Sequence, residues 1–413
     1  MDVLISSIGS RGDVQPIVSL ALELRALGHT ARLCVAPNFR KWVESFGLAC
    51  IPIGPDLKQH VTRGTPGKLP KPSKDQLRQL AAHTIREQFR VVTAAARGCD
   101  LLVAAGPLQI AARSIAEALK ISYAFVTYCP VTLPSPAHAP PKMGSHHSPS
   151  LPAIVNRLLW ISNERRWDSL FLTTLNDERS QVGLAPIKRV QDFIFTHQPW
   201  LAADAVIAPA SSTPRMQIVQ TGAWFLADPA PLPAELESFL TNGAPPVYFG
   251  FGSMRGTEGT SAMFLEAARA LGLRSIISRG WAGLSTPDTG TDVISIGDVD
   301  HEKLFTRVAA VVHHGGAGTT AAVARAGKPQ VVVPHLYDQY YWAHRVKKLG
   351  VGVAGPTSDR LNVNALIAGL RGALRPETTA RADALADRIE LNGARIAAER
   401  LVREFGPPGG TFI

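Results

Sequence analysis

Cysteine is scarce in this chain: four residues, Cys34, Cys50, Cys99 and Cys129, stand far apart among 413, and no two form a C-x-x-C pair. That spacing argues against a zinc site or a dithiol redox motif and suits isolated buried thiols. Long apolar runs are missing as well. Without a stretch of about 18 apolar residues, hydropathy gives no helix that would cross a membrane. Charged residues make up only 18% of the chain against 46% hydrophobic ones, the balance of a well-packed globular protein. The opening, Met1-Asp2-Val3-Leu4-Ile5, lacks the basic residues of a secretory signal and reads as a first buried strand, so a cytoplasmic location is expected. Acidic residues are the minority charge: 33 Asp and Glu face 43 Lys and Arg, a formal net charge of +10. The basic residues are scattered and match no nucleic-acid-reading motif, so most of this charge reads as solvated surface and no nucleic-acid partner is expected. One modest cluster, Arg63, Lys68, Lys71 and Lys74, leaves a weak membrane-surface association as the minor reading.

The length exceeds what one hydrophobic core usually serves, so two domains are expected. The pattern agrees, because strand-like and helical stretches alternate twice over. Val3–Ser6, Thr30–Val35, Leu101–Ala105 and Tyr123–Thr127 read as buried strands, separated by helical stretches Pro16–Leu27, Phe39–Phe46, Gln76–Ala96 and Leu108–Leu119. A second series of strands runs Val247–Phe251, Ser275–Ser278, Val293–Ile296, Ala310–His313 and Gln330–Val333. The fold class is therefore α/β, two Rossmann-like parallel-sheet domains. We place the first at 1–207, a proline-marked linker at 208–233, the second domain at 234–376 and a last helical segment at 377–413. Residues 130–152 hold seven prolines with His138, His146 and His147. Lacking cysteine or carboxylate partners at ligand spacing, they read as an exposed loop rather than a metal site. Trp160, Trp167 and Phe171 downstream read as helix core, or as apolar walls of a pocket.

Three turns carry chemistry. Val312 to Thr320, VHHGGAGTT, reads as a strand feeding a glycine turn and then a helix. Unpaired N–H groups and the positive end of the helix dipole there would hold a pyrophosphate. His314 and the hydroxyls of Thr319 and Thr320 add donors, whereas His313 points to the other face of the strand. An ordinary strand-to-helix turn is the plainer alternative. Pro334 to Gln339 forms the next strand-to-helix loop and opens on the same crevice. In it Asp338 and Gln339 offer acceptors and donors suited to sugar hydroxyls, although Asp338 also suits the N-cap of the following helix. The third turn, Ser10-Arg11-Gly12-Asp13-Val14-Gln15-Pro16, lies between the first strand and first helix and holds Asp13, a general-base candidate or an N-cap. Two other motifs fail. Asp298-Val299-Asp300 matches a metal-holding D-x-D only by a three-letter pattern, and the glycine turn at Gly250 to Gly256 lacks an acidic ribose partner, which ranks an oxidoreductase last.

The run HHGGAGTTAAVARAGKPQVVVPHLYDQYYWAHRVKKLGVGV resembles the donor-binding signature of nucleotide-sugar glycosyltransferases with the two-domain GT-B fold. SSIGSRGDVQPIVSLALELRALGHTARL, QTGAWFLAD, PPVYFGFGS and SRGW extend the resemblance over nearly the whole chain. Its likeness is to the branch of sterol 3-beta-glucosyltransferases and of bacterial enzymes that glycosylate natural products such as glycopeptide antibiotics. The resemblance implies two Rossmann-like domains facing across a cleft, the last helix crossing back to the first. His314, Gly316, Ala317, Gly318 and Thr319 would contact the donor's phosphates, and Ser253, Trp281 and Val299 would line the nucleotide site. Ser10, Arg11 and Gly12 would approach the donor from the first domain, Asp338 and Gln339 would read its sugar, and Asp13 would be the base of an inverting transfer. Many relatives carry histidine at the position of Asp13; aspartate is usual in the branch named. No metal or other cofactor is implied, the donor being a co-substrate. Val299 and His301 match the ends of a Val-Pro-His run in the sterol enzymes, with Asp300 in place of proline. The expected donor is UDP-glucose, with a dTDP-sugar as the alternative, and the expected acceptor is a lipophilic small molecule: a sterol, terpenoid or polyketide. A nucleotide-sugar epimerase and a catalytically silent sugar-nucleotide binder are the competing readings.

Overall fold

The computed structural model describes residues 1–56, 72–141, 151–211, 213, 215–228, 230–254, 259–281, 283–284 and 290–406. Arg63, Lys68, Lys71, His146, His147 and Gly256 lie outside the described residues.

Two all-parallel sheets form the frame. The first contains β1 (Asp2–Ser7), β2 (Thr30–Val35), β3 (Ala49–Pro52), β4 (Leu101–Ala105), β5 (Ser122–Thr127), β6 (Trp200–Leu201) and β7 (Val219–Gln220), in the order β3-β2-β1-β4-β5-β6-β7. The second contains β8 (Val247–Gly250), β9 (Ser275–Ser278), β10 (Val293–Ile296), β11 (Ala310–His313), β12 (Gln330–Val332) and β13 (Gly352–Ala354), in the order β10-β9-β8-β11-β12-β13. Fully buried runs such as Leu101–Ala105 and Ala310–His313 explain why these strands sit centrally, covered on both faces. In each sheet the order reverses beside the first strand, between β1 and β4 and between β8 and β11. Loops leaving in opposite directions open a crevice there, at the carboxyl ends of the strands.

The first helix, α1 (Arg11–Ala26), begins five residues before the expected Pro16. Ser10 and Asp13 form a capping box that starts it early, and Pro16 lies inside. The carbonyl that Pro16 leaves without an intrahelical partner belongs to Gly12, which is exposed. Asp13 is therefore not the N-cap; it is the third helical residue.

Much of the stretch read as linker is built into the first domain. It supplies β7, and Trp224 and Leu226 are buried in the core formed by Ile5, Val18, Leu20 and Val103. The last segment divides into two helices. Pro376–Ala386 stays with the second domain, while Gly393–Phe405 lies on α1, with Ala394, Ala397, Ala398 and Leu401 buried in the first core and Arg395 3.7 Å from Glu23. A Cβ on Gly393 would come within 2.4 Å of the Ala223 carbonyl, so only glycine lets the chain return this closely. Between the domains an apolar cluster joins Cys129, Val131 and Leu201 to Val332, Trp342, Val346 and Leu385. Asp204 of the first domain accepts the backbone N–H of Glu390 at 2.8 Å. Trp160 is buried and donates its indole N–H to the His138 carbonyl at 2.9 Å, while Trp167 and Phe171 pack half-buried against the first-domain core. Three of the cysteines are buried, all four are free, and no described helix is long and apolar enough to cross a membrane.

Candidate active site

The glycine turn after β11 is built by steric necessity. Gly315 has φ +88°, and a Cβ there would meet Val332 Cγ1 at 2.6 Å. A Cβ on Gly316 would meet His314 Nε2 at 2.5 Å. Gly316 is the N-cap of the helix Ala317–Arg325 and has no side chain to cap with, so the first-turn amides of Ala317, Gly318 and Thr319 face outward uncapped. Thr320 does not join them: it is fully buried, and its hydroxyl donates back to the Gly316 carbonyl at 2.9 Å. That corrects the expectation of two threonine donors, leaving Thr319.

The two adjacent histidines have separate jobs. His314 sits against Gly252, and its Nδ1 is buried without a hydrogen-bond partner. Burial, with neighbouring imidazoles adding to it, pulls its pKa down to about 3, so it stands at the turn as a neutral imidazole rather than as a cation. His313 is fully buried on the opposite face. Its Nε2 lies 2.9 Å from Gln330 Oε1, and its Nδ1 accepts the Gly315 N–H at 3.1 Å. Both ring nitrogens are thus used, which requires the neutral Nε2–H tautomer, and burial holds the pKa near 4. His313 fixes the turn that presents the cradle, a role that strand alternation alone did not reveal.

Facing the cradle are two carboxylates, one from each domain. Asp13 Oδ2 accepts from the Ser10 N–H at 2.7 Å and the Ser10 hydroxyl at 3.1 Å, while Oδ1 has no hydrogen bond among the described residues. Tyr128 donates to the Asp13 carbonyl at 2.9 Å and fixes its backbone. Burial raises the Asp13 pKa from its ordinary value, opposed by the bonds from Ser10. Asp338 occupies the N-cap position of the helix Gln339–Leu349, but its side chain does not cap; Oδ2 accepts the Trp342 indole N–H at 2.9 Å. Burial pushes its pKa up to about 6, with the charge of Asp13 adding to the rise. Gln339 spends its amide oxygen on its own loop, accepting the N–H groups of His335 at 2.7 Å and Leu336 at 3.0 Å. Between them, Tyr337 holds a strained φ of +55°, a placement that nothing in its residue type announces.

The remaining expected residues stand where the domains meet. Arg11 reaches across to Asp298 at 3.2 Å and lies 4.5 Å from the Trp42 ring centre. Asp300 caps the helix His301–Phe305, accepting the Glu302 N–H at 2.8 Å. Both carboxylates of the D-x-D pattern are therefore engaged within the protein. No group of three or more metal-ligating side chains occurs among the described residues. Half-buried Ser253 follows Gly252, whose carbonyl accepts the Trp281 N–H at 3.0 Å. The Trp281 ring packs 6.0 Å from Phe39 of the first domain, and Val299 packs against the cluster holding Tyr248 and Phe305. The geometry sets uncapped helix-start amides, a neutral histidine and two carboxylates with raised pKa values at the carboxyl ends of the two sheets.

Comparison with known proteins agrees with this geometry. Residues 3–136 match the glycosyltransferase family 28 N-terminal domain, and residues 286–389 match the erythromycin biosynthesis protein CIII-like C-terminal domain. The chain is 43% identical over 409 residues to glycosyltransferase GtfC of Amycolatopsis orientalis, covering 97% of each chain. It is 42% identical over 408 residues to the vancomycin aglycone glucosyltransferase of the same organism, again covering 97% of each. Among solved structures, glycosyltransferase VinC in complex with dTDP superposes with a TM-score of 0.70 at 21% identity, covering 98% of this chain and 99% of that one.

Proposed function

The chain belongs to the GT-B nucleotide-sugar glycosyltransferases, in the branch that includes the glycopeptide-antibiotic enzymes, and we propose that it moves a hexose with inversion from a nucleoside diphosphate donor to a hydroxyl of a natural-product aglycone. One observation carries the reading. Asp13, at the switch point of the first sheet, presents an Oδ1 with no hydrogen bond among the described residues, and its charge reaches Asp338 on the loop after β12 of the second sheet.

In this mechanism the acceptor hydroxyl gives its proton to Asp13 Oδ1 as its oxygen bonds to the anomeric carbon, and the bond from that carbon to the diphosphate oxygen breaks. The uncapped amides of Ala317 to Thr319 and the N–H of His314 stabilise the charge on the departing diphosphate. Asp338 accepts hydrogen bonds from the sugar hydroxyls. No metal is assigned to the reaction, because Asp298 and Asp300 already serve Arg11 and a helix cap.

UDP-glucose remains the favoured donor, in keeping with the glucosyl transfer named for the vancomycin aglycone enzyme, and the dTDP complex of VinC supports the alternative nucleotide. The vancomycin aglycone enzyme, at higher identity than the sterol glucosyltransferase relative, favours an antibiotic-type natural-product aglycone over a sterol, and the reaction is proposed to take place in the cytoplasm. The test is a thermal-shift screen of UDP, dTDP and GDP followed by product detection with an aglycone panel. A ligand at a hundredfold excess over Kd stabilises by about 2.7 kcal/mol. Stabilisation by no nucleotide, or donor turnover without a glycoside under any acceptor, would overturn the reading.

A further inference from the structure

Asp13 stands on a turn of α1 that is one backbone bond short. Its own N–H donates to the Ser10 carbonyl at 3.0 Å, but Pro16 withholds the bond that the Gly12 carbonyl would otherwise receive. Other groups make good the loss. The carboxylate end is held by Ser10 and by want of space, because a Cβ on Gly9 would come within 2.1 Å of Asp13 Oδ2. The backbone end is held by Tyr128, whose hydroxyl donates to the Asp13 carbonyl at 2.9 Å. Ser7 Oγ lies 3.4 Å from the same carbonyl, too far for a hydroxyl bond of full strength.

Strand order puts Tyr128 there. It follows β5 directly, and β4 lies between β5 and β1, so the phenol ties the start of α1 to a strand that is not a neighbour of β1. Trp224 backs the ring, edge-on at 82° with centres 6.4 Å apart, and donates its own indole N–H to Thr221 Oγ1 at 3.0 Å. Burial raises the Tyr128 pKa well above the ordinary phenol value, which keeps the group a neutral donor.

We infer that Tyr128 is a positioning residue for the general base: its bond to the Asp13 carbonyl sets where Asp13 Oδ1 stands relative to the acceptor hydroxyl. The inference rests on the transferase reading above, with Asp13 as its base, and adds a residue to it. The diphosphate cradle is anchored separately, on the second domain, through His313 and Gly315. Loss of the Tyr128 bond therefore slows transfer and leaves the affinity for a bare nucleoside diphosphate unchanged.

The test is a double-mutant cycle of Tyr128→Phe with Asp13→Asn in the full chain, reading single-turnover transfer from a saturating donor, the Kd of UDP and the melting temperature. Tyr128→Phe alone should slow transfer about threefold to tenfold, the range that one lost hydrogen bond allows, with UDP affinity unchanged and melting lowered by about 2–4 °C. In the Asp13→Asn background the same change should lower melting equally and slow transfer no further, because no base is left to misplace. A tie that served the fold alone would slow transfer by the same factor in both backgrounds. That result, an unchanged rate in Tyr128→Phe, a fall in UDP affinity that tracks the fall in rate, or a Tyr128→Phe protein that does not fold would each overturn the inference. Near-normal transfer by Asp13→Asn alone would remove the base and the inference with it, whereas a parent protein that transfers no sugar would count against the transferase reading itself.

Discussion

Replacing His313 tests whether the phosphate cradle is held from behind. His313→Ala removes an imidazole that is fully buried and satisfied on both nitrogens, at 2.9 Å to Gln330 and 3.1 Å from the Gly315 N–H. Two buried polar groups then lose their partner, each at a cost of about 1–3 kcal/mol, so the sum is roughly 2–6 kcal/mol before any cavity is counted. A loss of about 2 kcal/mol lowers the melting temperature of a domain of this size by roughly 4–8 °C. His313→Asn separates the two bonds. Its side-chain oxygen stands near the place of Nδ1 and keeps the Gly315 N–H paired, but it does not reach Gln330. Asparagine should therefore recover UDP affinity while recovering only part of the stability. His314→Ala should do the reverse, weakening nucleotide binding by about 1.5–3 kcal/mol, the value of a bond to a charged oxygen, with little effect on melting. The assays are thermal unfolding and UDP titration by calorimetry on the three variants. If His313→Asn binds UDP no better than His313→Ala, or if His313→Ala melts within a degree of the parent, the bracing role is wrong.

Two further predictions follow from the same geometry. Exhaustive chelation should leave transfer undiminished; activity abolished by a chelator and restored by magnesium or manganese would return Asp298 and Asp300 to the centre of the site. Acid should act on rate and on stability separately. A base must be ionised, and burial raises the pKa of both Asp13 and Asp338, so kcat/KM should fall with an acidic limb displaced above the ordinary carboxylate value of about 4. His138, His301 and His313 have pKa values lowered by burial to about 4 from 6.5, so the unfolded chain binds more protons in that window. Their contribution to stability is full above pH 6.5 and is lost as the pH falls towards 4, while Asp338, raised from 3.8, works in the opposite direction between 3.8 and 6. His29, His314, His335 and His344 are lowered as well, and Asp13, Glu164 and Glu302 are raised like Asp338. With seven histidines against four carboxylates, net stability should fall on acidification from pH 6.5 to 4; a melting temperature that rises over that range would contradict the assignment of the buried histidines as neutral.

What could be read from the sequence was what local chemistry dictates. Thr30–Val35, Leu101–Ala105, Ser275–Ser278, Val293–Ile296 and Ala310–His313 have the expected bounds; the fully buried Leu101–Ala105, Ser275–Ser278 and Ala310–His313 do so because covered parallel strands read as compact, largely apolar runs. The strands that escaped notice are Ala49–Pro52, Trp200–Leu201, Val219–Gln220 and Gly352–Ala354. Each is short or half-exposed, and what holds it is pairing with a neighbour far away in the chain, which no periodicity reports. The glycine turn and its helix were legible because amides at a helix start depend on a few adjacent residues. The jobs of His313 and Tyr128 were not, since each depends on a partner in another segment: Gln330 and the Asp13 carbonyl. Pro16 misled for a related reason. A proline is a strong helix-start signal, but the Ser10–Asp13 capping box one turn earlier is a stronger one.

The central claim is that Asp13 removes the acceptor's proton, and Asp13→Asn tests it most directly. Asparagine can still accept the Ser10 N–H that now reaches Oδ2 at 2.7 Å, so the start of α1 and the cleft should survive, with melting temperature and UDP affinity close to those of the parent. It cannot take up a proton at neutral pH, so single-turnover transfer from a saturating donor should slow by about 10²–10⁴. Transfer at a near-normal rate by a well-folded Asp13→Asn protein with intact UDP binding would contradict the account and leave Asp13 a capping residue alone.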